Sequence, residues 1–120
     1  MSDILVIAER IEQKIKLLEN MRKEIRERAE KKAVTMAEYD KVLAVTIIKL
    51  KNNVELEFEG LKIEHPQATV MEKIAKGICW KERLEAEKAD ALFKSLTSNI
   101  ASVMAELTGY ECINKYLDKT

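Results

Sequence analysis

At 120 residues the chain has the length of one domain. Charged residues make up 35% and aromatics 5%, the profile of long solvated helices rather than of a compact sandwich or barrel. Lys plus Arg and Asp plus Glu number 21 each, so net charge gives no argument for nucleic acid or membrane, and no apolar run approaches the roughly 20 residues that cross a bilayer.

Ser2 suits an N-cap and Asp3 the positive end of a helix beginning there. The apolar patch 4–8 stops at Glu9-Arg10, too soon for a secretory leader, which points to the cytoplasm. No Gly or Pro interrupts the chain from Asp3 to Asn52-Asn53. Apolar residues return in steps of three or four at Ile4, Ala8, Ile11, Ile15, Leu18, Ile25, Ala29, Met36, Leu43, Ile47, Leu50 and Val54, the seam of a coiled-coil helix. Arg22 and Lys32 fall on this seam, either with their stems covering it and their charges reaching water or as a contact surface for a polyanion. From 41 to 50 the helix is apolar nearly all round, and Val42, Val45 and Ile48 there are expected to meet something beyond the partner helix.

Residues 53–68 break the helical pattern. Val54, Leu56 and Phe58 alternate with Glu55, Glu57 and Glu59, and Leu61 and Ile63 alternate with Lys62 and Glu64 about Gly60. The stretch reads either as a short β-hairpin turning at Glu59-Gly60 or as a helix continued to Phe58 and then a loop. His65-Pro66 favours extended backbone before the next element. Thr69-Val70-Met71-Glu72 matches a capping box, with Thr69 as N-cap. A second seam follows at Ala75, Cys79, Glu82, Ala86, Ala89, Phe93, Leu96, Ile100, Val103, Leu107, Tyr110 and Leu117, with Gly77 as an early interruption.

The expected architecture is all-α: one domain, 1–120, made of helix 3–52, tip 53–68 and helix 69–117, folded as a long antiparallel helical hairpin. Each arm is about 50 residues, or about 75 Å, long. The broad apolar face at 42–50 asks for dimerisation into a four-helix arrangement, or for another partner. Cys79 and Cys112 stand 33 positions apart. On one helix that is about 50 Å, so they are expected as reduced thiols, with a Cys-linked dimer as the alternative.

No catalytic, cofactor-binding or metal-binding residues are assigned. His65, the single histidine, lacks the spacing of a metal motif or of a general base with its orienting partner. The isolated glycines cannot form a phosphate-cradling loop. Residues 21–52 hold nine Lys or Arg against five Asp or Glu, and 69–83 hold four against two. The tip carries Glu55, Glu57, Glu59 and Glu64 against Lys62 alone. An acidic tip backed by a basic collar follows. In the collar, Lys73, Lys76, Lys81 and Arg83 flank Trp80, the only tryptophan. Such a set can grip phosphates and stack on a base, anchor a protein partner, or simply pack Trp80 inside the hairpin or a dimer.

The runs Glu72-Lys73-Ile74-Ala75-Lys76-Gly77, Lys81-Glu82-Arg83-Leu84-Glu85-Ala86-Glu87 and Lys41-Val42-Leu43-Ala44-Val45-Thr46-Ile47-Ile48-Lys49-Leu50 resemble small helical proteins encoded by phages and prophages of Gram-positive bacteria. The resemblance implies an intracellular accessory protein, of a kind commonly grouped with early genes for DNA metabolism. It brings no catalytic residues with it. The alternating tip departs from the shorter link of such proteins. Three functions are expected in turn: a non-enzymatic protein that engages a host or phage protein–nucleic-acid machine, such as an anti-CRISPR-like inhibitor of bacterial defence; a nucleic-acid-binding accessory protein of phage DNA replication or recombination; and a structural coiled coil for assembly.

Overall fold

The computed structural model describes residues 3–119. The chain is an all-α antiparallel helical hairpin with a two-stranded tip. Its elements in order are α1 (Asp3–Lys51), β1 (Leu56–Phe58), β2 (Leu61–Ile63), α2 (Ala68–Ile78) and α3 (Trp80–Asp118). The proposed N-cap Ser2 lies outside the described residues. No helix among the described residues is long and apolar enough to cross a membrane.

The chain divides into two compact units, Met1–Ala29 with Ala91–Thr120, and Glu30–Asp90. In the first, Leu18, Met21, Leu96 and Val103 are buried, with Ile25, Ile100 and Leu107 packed against them. Polar pairs set the antiparallel register. The Arg10 guanidinium lies 5.8 Å from the centre of the Tyr110 ring, Lys14 pairs with Glu106, and Arg28 Nη1 donates to the Leu92 carbonyl at 2.7 Å. Moving up α1 moves down α3 by equal steps.

In the second unit the return arm presents small residues to α1. Ala75, Cys79, Ala86 and Ala89 are all buried, and Leu50 and Thr46 are buried on α1. Removing the bulk at these positions lets the helix backbones approach, and Leu50, 1% exposed, fills the remaining space. Thr46 Oγ1 donates to its own helix at Val42 O (2.8 Å) and lies 3.4 Å from Cys79 Sγ, so neither buried polar atom is stranded. Lys32 Nζ meets Asp90 Oδ1 at 3.0 Å.

The second seam is arranged as its spacing predicts, with Asp90 added to it. The first holds at Ile11, Leu18, Ile25, Lys32, Leu43, Ile47 and Leu50 and is offset by one residue between them. Ile4, Ala8, Ile15, Arg22, Ala29 and Met36 are exposed, whereas Lys14, Met21, Arg28, Thr35 and Val42 turn inward, and Val54, beyond α1, is exposed. Lys14, Arg28 and Lys32 each find an acceptor on α3, which offsets their desolvation and lets three basic residues occupy the helix–helix face.

The end of α1 is closed by a Schellman motif. Val54 N–H donates to Lys49 O (3.0 Å) and Asn53 N–H to Leu50 O (3.3 Å), with Asn53 left-handed at φ 54°. A β-hairpin follows, not a continued helix, pairing Leu56 with Ile63, Glu57 with Lys62 and Phe58 with Leu61. Its two-residue turn puts both Glu59 (φ 51°) and Gly60 (φ 81°) at positive φ, the primed geometry whose twist suits a hairpin. His65 is not extended as the following proline predicts; it is left-handed at φ 46° and its Nδ1 lies 3.1 Å from Asn53 Oδ1. That hydrogen bond stabilises the unusual backbone and closes the base of the tip.

Thr69 is not the N-cap. The cap lies two residues earlier, at Gln67, which has extended backbone and makes no side-chain cap bond. Pro66 holds the entering chain in place, and the first turn closes through Val70 N–H to Gln67 O at 3.1 Å. The expected single helix 69–117 is two, parted at Cys79 (φ −90°, ψ 24°).

Candidate functional site

The interruption at Cys79 is slight. Cys79 N–H donates to Ala75 O and Arg83 N–H to Cys79 O, both at 3.0 Å, so helical bonding runs up to the break and resumes beyond it. Cys79 is 1% exposed against Thr46. A residue one step along a helix lies about 100° further round, so burying Cys79 turns Trp80 outward. Trp80 is 44% exposed, so it is not enclosed in the hairpin.

The same periodicity builds a stripe. Lys73, Lys76, Gly77, Trp80, Arg83, Leu84 and Glu87 recur at helical spacing and line one shallow hollow of about 430 Å³ on the outer face of α2 and α3. Three of these residues are cationic and one is a carboxylate. Lys76 Nζ lies 3.2 Å from Glu72 and Arg83 Nε 3.0 Å from Glu87, each an i,i+4 pair on an exposed surface. Lys73 has no ion pair among the described residues. Lys81 Nζ stands 5.6 Å from the centre of the Trp80 ring, a cation–π arrangement.

Gly77 is the unexpected member. Glycine within a helix is less stable than alanine by about 0.5–1 kcal/mol. A Cβ at Gly77 would meet nothing within 4 Å, so no close packing requires the glycine. Its effect is to leave open the surface one turn before Trp80.

A second hollow, of about 320 Å³, joins the tip to the collar. Glu57, Phe58 and Glu59 of β1 and its turn line it with Ile78, Trp80, Lys81 and Glu82. The structure therefore gathers Lys73, Lys76, Trp80 and Arg83 round one hollow, and Lys81, Glu57 and Glu59 round its neighbour, with Trp80 common to both. Glu55 and Glu64 are exposed but line neither; Glu55 instead pairs with Lys62 at 3.2 Å. Sequence reasoning missed Gly77, Leu84, Glu87, Phe58 and Ile78. For the first three the signal was present, as residues three before Trp80, four after it, and four after Arg83.

Of the residues expected to meet a further partner, Val42 is half-buried inside the hairpin, while Val45 (43%) and Ile48 (58%) are exposed. His65 is an exposed tip residue occupied with Asn53. Both cysteines are free, Cys79 buried and Cys112 exposed. Among the described residues no group of three or more His, Cys, Asp or Glu could hold a metal ion. No protein-family model, no curated protein and no solved structure matches this chain.

Proposed function

We propose that this chain is a non-enzymatic, phage-encoded interaction protein of the bacterial cytoplasm that engages a host or phage protein–nucleic-acid machine, in the manner of an anti-CRISPR-like inhibitor of bacterial defence. The observation that carries the reading is the shared position of Trp80. It joins the acidic strand Glu57–Glu59 to the basic stripe Lys73, Lys76 and Arg83, so two segments distant in sequence form one amphoteric surface with an aromatic centre. An exposed tryptophan between opposite charges is well suited to anchor a partner whose own surface alternates acidic protein and basic nucleic-acid-binding channel. Such a protein acts by occupying a surface.

The test uses phage plating. Bacteria carrying an active nucleic-acid-guided defence and expressing the protein should plate a targeted phage more efficiently. A Glu57→Ala/Glu59→Ala/Trp80→Ala variant with unchanged circular dichroism should lose the effect. Equal protection by that variant would remove the assignment to this surface, and no protection by the wild type against the tested defence would remove the inhibitor reading for it.

Two observations favour other uses. The exposed ring among Lys73, Lys76, Lys81 and Arg83 favours a nucleic-acid-binding accessory role in phage DNA replication or recombination. Exposed Val45 and Ile48 favour a homodimer, and with it an assembly role; light scattering that returns a monomer mass at every concentration would exclude both.

A further inference from the structure

We infer that the hollow over Gly77 and Trp80 is a binding site for single-stranded nucleic acid, with one base stacked on the Trp80 ring and the flanking phosphates held by Lys73, Lys76 and Arg83. The inference rests on the reading of this surface as one that meets nucleic-acid machinery, and it names the ligand.

Charge is the first argument. The hollow is lined by three cations and one carboxylate, a local excess of positive charge in a chain whose overall charge is zero. The carboxylates that neutralise Lys76 and Arg83 belong to exposed i,i+4 pairs, with side chains between 42% and 71% exposed. Such pairs are weak and screened, so a phosphate can take their place. Lys73 is already without an ion pair among the described residues.

The ring is the second. Trp80 offers a half-exposed aromatic surface with cations on both sides along the helix, and base–aromatic stacking needs that surface more than it needs a closed pocket. Lys73 and Arg83 are ten residues apart on helical spacing, about 15 Å. That length matches roughly three nucleotides of a single strand held through phosphates and one stacked base. A duplex keeps its base faces inside the stack and cannot use the ring.

Gly77 is the third and most specific. Its absence of a side chain lowers helix stability and serves no packing need, since a Cβ would stand in open space. One turn before Trp80, it lies on the floor of the hollow, where a larger side chain would lean toward Lys73 and fill the space the strand needs. The glycine keeps the hollow open.

Because Trp80 is the only tryptophan, its fluorescence reports the site directly. The experiment titrates a ten-residue oligothymidylate into the full chain. Saturable quenching is expected at 50 mM salt. With three phosphate contacts on a single strand, affinity should fall about 20-fold between 50 and 200 mM salt, and the salt dependence should drop to about a third in Lys73→Ala/Lys76→Ala. Gly77→Ala should keep the quenching and Gly77→Leu should abolish it, both with unchanged circular dichroism. Absence of quenching, equal quenching of Gly77→Leu, or equal quenching by a deca-glutamate peptide would each overturn the inference, the last by identifying the ligand as an acidic chain. Loss of the oligonucleotide signal with plating protection intact refutes this site alone, whereas intact quenching with no protection refutes the inhibitor reading alone.

Discussion

Leu50 and Ile48 stand two residues apart on α1 and face opposite environments, 1% and 58% exposed. Replacing each with alanine is therefore an internal control on which face of α1 meets the return arm. Burying a leucine side chain is worth about 1.5–3 kcal/mol in transfer alone. Ala75 and Cys79, buried on the facing arm, are too small to fill the hole, so a cavity penalty adds to this. Leu50→Ala should then cost about 3 kcal/mol. For a chain of this length the midpoint of thermal unfolding should drop by roughly 10–15 °C. Ile48 has about two-fifths of its surface covered, worth about 1 kcal/mol, and alanine returns roughly half of that through its better helix propensity. Ile48→Ala should cost about 0.5 kcal/mol. Urea unfolding followed by circular dichroism at two protein concentrations reads both. If Ile48→Ala loses as much as Leu50→Ala at both concentrations, the assignment of the inward face is wrong. If its loss appears only at the higher concentration, Ile48 is covered by a second copy of the chain.

Four further outcomes are expected. Gly77→Ala should stabilise the protein by about 0.5–1 kcal/mol, measured by the same unfolding curves. Glu59→Asn should stabilise the hairpin by about 0.5–1 kcal/mol, because asparagine accepts the positive φ of this turn more readily than glutamate. A double-mutant cycle on Lys32 and Asp90, partly buried at 3.0 Å, should return a coupling of about 0.5–1 kcal/mol that shrinks as salt is raised. Cys112 should react with a thiol reagent at once and Cys79 only on unfolding; simultaneous reaction of both would contradict the packing of Cys79 against Thr46.

The return arm was legible because its inward residues are apolar or small at almost every step, from Ala75 to Leu117. The first arm was legible as a helix but only in part in its rotation. Lys14, Arg28 and Lys32 look like solvent residues until their partners Glu106, Leu92 O and Asp90 are known, and those partners lie 58 or more positions away in the chain. Apolar periodicity alone chose Ile15, Arg22, Ala29 and Met36, the neighbouring stripe. At the tip, alternation and Gly60 pointed to a hairpin, but glutamate at the other turn position weakened the signal. At the candidate site the cations and Trp80 could be found by type. Gly77, Leu84 and Glu87 could be found by helical spacing from Trp80 and Arg83, but the open space over Gly77 could not.

The hydrogen bond between His65 and Asn53 has a consequence for how this protein could vary. Two left-handed residues, twelve positions apart, face each other across the mouth of the tip. The Schellman motif finishes α1 before Asn53, and Pro66 starts the approach to α2 after His65. The arms are thus already terminated where the tip begins, and the segment between behaves as an insert seated in a socket. Doubling the length of a flexible loop costs only about 0.6 kcal/mol in closure entropy, so longer or shorter inserts can be exchanged while the helices keep their register. The scaffold can hold still while the tip is rewritten.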